Sequence, residues 1–414
     1  MIQRPKVLAL APYCDGTDVG EAWCAYMWVS ELSKKADVTL LSMVRPGRKP
    51  LAEQLPDVTV ITKEEPSWTR RFERLNAMAK LSYGAFYSWA NSAIKKILED
   101  GVEFDVAHQF SPIALRFPSP LRNHSVPYVL GPLGGSLDTP KRFQSECGSA
   151  AWYTKFRNID RFRLKRDPLL NSSYRKASAV LGVAPYVSSL IGEEKLRRFE
   201  VISELGVQLL RTPKVNQFSH SSFRMLHVGR GVRTKGLRDC IRALDLLRDI
   251  PGLHLDVAGK GEEMEICEAL ALELDVRHLV TFHGQISRAE VDQLYANADV
   301  FCFPSYREPS GSVVFEALSF GLPVIVADRG GPGHVVDDSC GFKVAVADPQ
   351  QFSKHIAAAV RTLAAMPELR KRLSSGAIDK MTKIGLWPAK IERLLSIYQD
   401  IVQQPKEPME LSSC

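Results

Sequence analysis

Two carboxylates, Glu308 and Glu316, flank a short Pro-Ser-Gly loop in the stretch SYREPSGSVVFEALSFGLPVIVAD, residues 305–328. The loop follows the apolar run DVFCFP and leads into a segment whose spacing predicts a helix starting near Gly311 or Ser312. The first amides of such a helix have no partner inside it, and the helix dipole puts partial positive charge there. A phosphate or diphosphate suits that position, and Gly311 lets it approach the backbone closely. Glu316, about one turn inside, cannot bind a phosphate but can accept hydrogen bonds from hydroxyls, as a ribose diol would offer. Glu308, ahead of the helix, can accept from hydroxyls at the other end of the same ligand. An acid in the first helical turn also compensates the dipole without any ligand, so the pair alone leaves both readings open.

A second strand, glycine loop and helix start occur in HVGRGVRTKGLRDC, residues 227–240, where Arg230 and Lys235 flank the loop. Both side chains can reach a diphosphate leaving group, although solvated loop cations look the same in sequence. In DVAGKGEEME, residues 256–265, Gly259 and Gly261 end a strand and open a helix, a pattern that fits any nucleotide fold. No D-x-D occurs anywhere. A divalent ion would need carboxylates to hold it against the diphosphate, so Arg230, Lys235 and the helix N-terminus are expected to supply the compensating charge instead. The eight cysteines are scattered with no C-x-x-C pair, which supports neither a disulfide framework nor a zinc site and indicates a reducing cytoplasm. No metal site is expected.

These loops need strands behind them and helices ahead. Residues 224–385 alternate short apolar runs (RMLHVG, LHLDVAG, VTFHG, DVFCFP, PVIVAD, GFKVAV) with amphipathic helical stretches. That alternation predicts a parallel sheet covered on both faces. Residues 1–204 do the same with longer interruptions, in KVLALAP, DVTLLSMV, VTVI, FDVAHQF, PYVLGP and ASAVLGVAP, with helices at GEAWCAYMWVSELSKK and between Arg70 and Asp100. The chain is therefore expected to be α/β with two doubly wound, Rossmann-like domains, 1–204 and 224–385, joined by a linker at 205–223. Ligands bind such sheets at the carboxyl ends of the strands, so the cleft between the domains is the expected site. Residues 386–403 carry apolar positions at helical spacing, a helix explained by packing alone. The N-terminus reads as a first strand rather than a signal peptide, and no run is long enough to span a membrane.

In their order, the three loops resemble the nucleotide-sugar domain of family 4 glycosyltransferases with the GT-B fold. The family's G-R-x-x-x-K-G loop reads GRGVRTKG here, one residue longer than usual; its A-G-x-G turn reads AGKG and its F-x-G strand end reads FHG. The paired-glutamate segment is EPSGSVVFEALSFGLPVIVAD, and the resemblance covers nearly all of 224–345. It implies that Arg230 and Lys235 neutralise the diphosphate, that Glu308 contacts the donor sugar and that Glu316 contacts the ribose. It also implies that the backbone around Gly284, Gln285 and Ser287 faces the base, and that Ser310, Gly311, Ser312 and Val313 line the donor site. In the first half, APYCDGTDVGEAW looks like the first-strand loop that often carries Gly-Gly; only Val19-Gly20 matches here, making Gly20 the donor contact. PYVLGPLGGS is similar to a subset acting in bacterial exopolysaccharide, capsule or lipopolysaccharide synthesis, and marks Gly134 and Gly135 as acceptor-side candidates. Other members carry a histidine near the equivalent of Gly131; this chain does not, and His108 in FDVAHQF is the nearest candidate. His334 stands where many relatives have Glu. In GT-B proteins the last helix crosses back onto the first domain.

The resemblance implies a retaining, metal-independent hexosyltransferase without a cofactor, using a UDP- or GDP-linked sugar as donor and a saccharide, lipid-linked, as acceptor. A sugar-nucleotide epimerase of the same fold and a non-catalytic partner subunit are the alternatives. Of the net charge of +7, residues 1–210 hold 29 Lys+Arg against 22 Asp+Glu, and residues 211–414 hold 25 of each. Residues 141–176 alone carry ten Lys/Arg against three acids, interleaved with Phe, Trp and Tyr, and WTRRFERLNAMAK extends that character. Such a segment can seat on anionic lipid headgroups, bind a phosphate-bearing acceptor or form a solvated basic face. Peripheral attachment to the cytoplasmic face of the inner membrane is the expectation; nucleic acid is not an expected partner.

Overall fold

The computed structural model describes residues 4–70, 80–147, 156–211 and 222–403. Within them the chain forms two compact units. Of the described residues, the first takes those in 4–134, 158–204 and 390–403; the second takes those in 135–157 and 205–389.

The first unit is built on a seven-stranded parallel sheet. Its strands are β1 (Lys6–Tyr13), β2 (Asp37–Val44), β3 (Val58–Glu64), β4 (Val106–Gln109), β5 (Tyr128–Leu133), β6 (Ala179–Gly182) and β7 (Phe199–Val201), in the order β3-β2-β1-β4-β5-β6-β7. Residues Val7 to Leu10 of β1 are wholly buried because helices cover both faces, which is why the strand reads as an unbroken apolar run. β7 was not legible in sequence: it has three half-buried residues at the sheet edge.

The second unit repeats the plan with six strands, β8 (Phe223–Val228), β9 (Leu253–Ala258), β10 (Val280–Gly284), β11 (Val300–Phe303), β12 (Val324–Ala327) and β13 (Gly341–Val344). Their order is β10-β9-β8-β11-β12-β13, all parallel. Strand side chains alternate between two cores. Met225, Cys302, Ile325 and Ala327 pack with the helices Leu237–Asp245, Glu262–Glu273 and Pro349–Ala365. Leu226, Phe301, Phe303, Val324 and Val326 pack with Arg288–Asn297 and Ser312–Ser319. In both sheets the order reverses beside the first strand, between β1 and β4 and between β8 and β11, leaving a crevice at the carboxyl ends. The two doubly wound, Rossmann-like domains expected from the strand pattern are present.

Residues 135–147 differ from the expected division, which put everything up to 204 in the first domain. Phe143 is fully buried in the second core, its ring 4.5 Å from Tyr306 and 5.6 Å from Phe352. Burying it stabilises that packing by about 2–3 kcal/mol. Glu146 adds ion pairs to Arg233 and Arg242 at 2.6 and 2.9 Å. The helix Trp387–Gln403 contributes its residues from Lys390 onward to the first unit, where Tyr398 meets His108 and Lys390 donates to the Ser203 carbonyl at 2.6 Å. Of the expected linker, 205–211 packs in the second unit, with Val207 bridging Leu386; the remainder up to 221 lies outside the described residues. So do 71–79 of the expected helix after Arg70, whose described part runs from Tyr83 to Glu99, and 148–155 of the basic segment. No helix among the described residues is long and apolar enough to cross a membrane.

Candidate functional site

The loops that leave β8, β9 and β11 meet at the carboxyl edge of the second sheet, and glycine lets them meet. A Cβ on Gly259 would lie 1.9 Å from the Gly229 carbonyl oxygen, and one on Gly261 would lie 2.3 Å from that of Gly231. The Gly231 amide donates to Lys260 O at 2.8 Å, so the AGKG turn and the start of GRGVRTKG form one backbone surface. Behind it His227 is fully buried, with Nδ1 2.9 Å from Cys302 O; burial pushes its pKa down to about 4, and it stays neutral at pH 7.

From that surface the loop Gly229–Gly236 presents two predicted cations differently. Arg230 is exposed and its side chain makes no hydrogen bond or ion pair among the described residues. Lys235 is largely buried, lies over the Phe303 ring at 5.6 Å and forms an ion pair with Glu308. Two residues singled out 73 positions apart therefore touch. Arg233, the cation between them, is not available to a ligand: it is buried and chelated by Asp239 at 2.6 Å and Glu146 at 2.6 Å.

Gly311 caps the helix Ser312–Ser319 with a left-handed φ of 82°, as the expected helix start required. Ser310 and Gly311 are buried and Ser312 is exposed; a Cβ on Gly311 would lie 3.3 Å from Glu308 Cγ, so the helix start, whose first amides have no partner within the helix, lies beside Glu308. The Glu308 carbonyl is itself held by the Gly331 amide at 3.1 Å. Glu316, one turn on, is half-buried and not free. Its Oε2 lies 2.7 Å from Arg288 Nη1 and accepts from the Tyr295 hydroxyl at 3.4 Å. The sequence reading did not single out Arg288, which the structure brings to the predicted Glu316; it follows Ser287, which caps its helix in a reciprocal pair with Glu290. Gly284, Gln285 and Ser287 lie exposed between β10 and that helix, and Val313 is half-buried in the first turn of Ser312–Ser319. Among the described residues no group of three or more His, Cys, Asp or Glu side chains is arranged to hold a metal ion.

Residues 211–380 match the family model of glycosyl transferases group 1. The matched residues contain Arg230, Lys235, Glu308, Gly311 and Glu316. The chain is similar to the lipopolysaccharide core biosynthesis glycosyltransferase LpsE of Rhizobium meliloti, 32% identical over 218 residues, which are 51% of this chain and 61% of the relative. It is also similar to a glycogen synthase of Mycobacterium tuberculosis, 30% identical over 186 residues, 44% of each chain. The chain thus spans less than two thirds of the length of these relatives. Across nearly the whole chain its fold is that of the Anabaena protein HepE, solved with UDP-glucose: TM-score 0.60, 18% identity, covering 96% of this chain and 100% of that one.

In the first unit the predicted residues separate. Gly20 is exposed, with φ 66°, at the start of the helix Glu21–Ser33. Gly134 is buried, its amide donating to Ile113 O at 2.9 Å, while Gly135 is half-buried with φ 105° and belongs to the second unit. His108, the nearest candidate for the acceptor-side histidine and equally readable as a satisfied core histidine, takes the second of these positions. It is fully buried, with Nδ1 2.5 Å from the Tyr398 hydroxyl and Nε2 2.7 Å from Gly131 O, and burial pushes its pKa down to about 3. Both ring nitrogens are engaged in the core, so His108 offers nothing to a substrate.

Proposed function

We propose that the protein is a retaining glycosyltransferase that moves a sugar from a UDP- or GDP-linked donor to a lipid-linked saccharide in cell-surface polysaccharide synthesis. One observation carries the reading: Lys235 and Glu308 meet at the switch point of the second sheet, beside the free amides of Ser312–Ser319. The match of residues 211–380 to glycosyl transferases group 1 supports it, as do the lipopolysaccharide relative and the UDP-glucose bound by HepE.

Breaking the bond between the anomeric carbon and the phosphate oxygen leaves negative charge on the diphosphate. Lys235, Arg230 and the helix amides are the groups that stabilise it, and removing one such donor typically costs about 10²–10³ in kcat. When Lys235 turns to the phosphate, Glu308 is released to accept hydrogen bonds from the sugar hydroxyls. Glu316, held on one oxygen by Arg288, offers the other to the ribose diol, and the exposed backbone at Gly284–Ser287 faces the base. The acceptor hydroxyl attacks on the face the leaving group departs from, and the departing phosphate takes its proton, which retains the anomeric configuration. Protein cations fill the place of a divalent ion, and no resident cofactor takes part. The first domain binds the acceptor. The exposed Phe162 and Leu169, on helices rich in Lys and Arg, seat the enzyme on the anionic cytoplasmic face of the inner membrane.

The test is nucleotide release from UDP- and GDP-sugars with and without EDTA, with the product's anomeric configuration read by NMR. Turnover that survives the chelator, gives a retained linkage and is abolished by Lys235→Ala in a folded protein is the expected result. Altered donor stereochemistry without transfer, or unchanged turnover in the variant, would sink the proposal.

A further inference from the structure

The residues that follow β12 pack backbone to backbone against the loop that carries Glu308. A Cβ on Gly330 would lie 2.1 Å from the Glu308 carbonyl oxygen, and one on Gly331 would lie 2.3 Å from that of Pro309. Arg329 enters this stretch just past the end of β12, so its side chain is rooted one residue from the backbone that touches Glu308.

Other cations beside Glu308 are spent. Lys235 pairs with Glu308 itself, Arg233 with Asp239 and Glu146, and Arg307 donates to Thr139 Oγ1 at 3.0 Å. Arg329 is half-buried, and its guanidinium makes no hydrogen bond or ion pair among the described residues. Burial pushes its pKa below the usual arginine range, against the pull of the Asp138 carboxylate, which acts on it only through space. Arg370 gives the contrast. Burial pushes it the same way, but its guanidinium donates to the carbonyls of Leu363 and Ala364 at 2.5 and 3.1 Å. The acids on either side of the helix Gly330–Val335 do not serve Arg329 either: Asp328 lies 3.8 Å from Lys343, and Asp337 pairs with Lys380. A partly desolvated cation without a counter-ion costs free energy until an anion meets it.

The diphosphate of a donor already has Lys235, Arg230 and the amides of Ser312–Ser319. Arg329 is a cation beyond these, next to the residue proposed to hold the sugar. What it complements is an anion carried by the sugar, and a planar guanidinium meets a carboxylate through two parallel hydrogen bonds. We infer that Arg329 binds a carboxylate on the transferred sugar, which makes the donor a nucleotide-linked uronic acid rather than a neutral hexose. The inference rests on the donor reading of Lys235 and Glu308 and narrows it to one class of sugar.

Isothermal titration of the full chain tests it. The probes are UDP, UDP-glucose, UDP-glucuronate and UDP-galacturonate, with GDP, GDP-mannose and GDP-mannuronate for the other base. A uronic donor is expected to bind at least about tenfold more tightly than the neutral sugar nucleotide of the same base. Arg329→Gln should remove that preference while leaving the affinity for UDP or GDP as in the wild type, and Arg329→Lys should restore part of it. Circular dichroism checks that the variants fold, and the wild-type comparison decides the matter where one does not. A wild type without preference for a uronic donor, or a preference that survives Arg329→Gln, would overturn the inference. An equal loss of UDP or GDP binding in Arg329→Gln would overturn it too, by assigning the guanidinium to the diphosphate. Binding of UDP or GDP without a uronic preference defeats this inference alone, whereas no binding of any probe defeats the donor reading and this inference with it.

Discussion

Glu316 shows how much of a functional side chain is decided by its neighbours. The ribose contact proposed for it needs a carboxylate fixed in place, and Arg288 at 2.7 Å together with the Tyr295 hydroxyl at 3.4 Å holds it there. Arg288 is in turn held by Asp292 at 2.9 Å, one turn along its own helix. Arg288→Ala should therefore raise the donor KM about tenfold while leaving kcat nearly unchanged, because the ribose contact is the same in ground and transition states. Arg288→Lys, which keeps the charge without the planar fork, should recover part of the loss. Steady-state kinetics on the three proteins checks this, and identical KM values would remove Arg288 from the site. Glu308, Lys235 and Glu316 were singled out through the family resemblance of their loops, because residue type and spacing alone left a bland reading of each open. Arg288 was not, because its partner stands 28 positions away, beyond anything a local pattern encodes.

At the scale of the element, the helix Ser312–Ser319 has to begin at one residue and no other. Gly311 takes a φ of 82°, and a Cβ there would sit 2.8 Å from the Pro332 ring. Gly311→Ala should cost about 1–3 kcal/mol, seen as a lower urea midpoint, and should weaken binding of the proposed nucleotide-sugar donor as the first amides shift. A variant with the wild-type midpoint would show that this turn relaxes freely. The helix start could be placed from sequence because an apolar strand, a glycine and an amphipathic run leave little choice. The attachment of 135–147 could not. It depends on Phe143 filling a hole between Tyr306 and Phe352, and on Glu146 meeting cations 87 and 96 positions away.

For the molecule as a whole, each unit buries a neutral histidine. His108 is pushed from 6.5 down to about 3 and His227 down to about 4, burial being the largest cause in both. Between those values and 6.5 the unfolded chain binds protons that the folded chain refuses, so stability present above pH 6.5 is lost as pH falls through this window. Urea midpoints should therefore drop between pH 7.5 and pH 4.5; a level midpoint would mean that the folded protein admits these protons.

Several features were determined by the sequence alone. The apolar runs named nearly all the strands, since a parallel sheet covered on both faces buries both sides of its central strands. The glycine loops marked the sheet edge where the strand-end loops meet, because backbone can approach backbone only where no Cβ intervenes. Tertiary structure alone decided which charges are spent and which are free. Lys235 meets Glu308, Arg233 is consumed by Asp239 and Glu146, and His108 closes a core contact with a tyrosine 290 positions away. Such pairings follow the order of strands in a sheet, and that order is set by which faces can be buried together rather than by the spacing of residues along the chain.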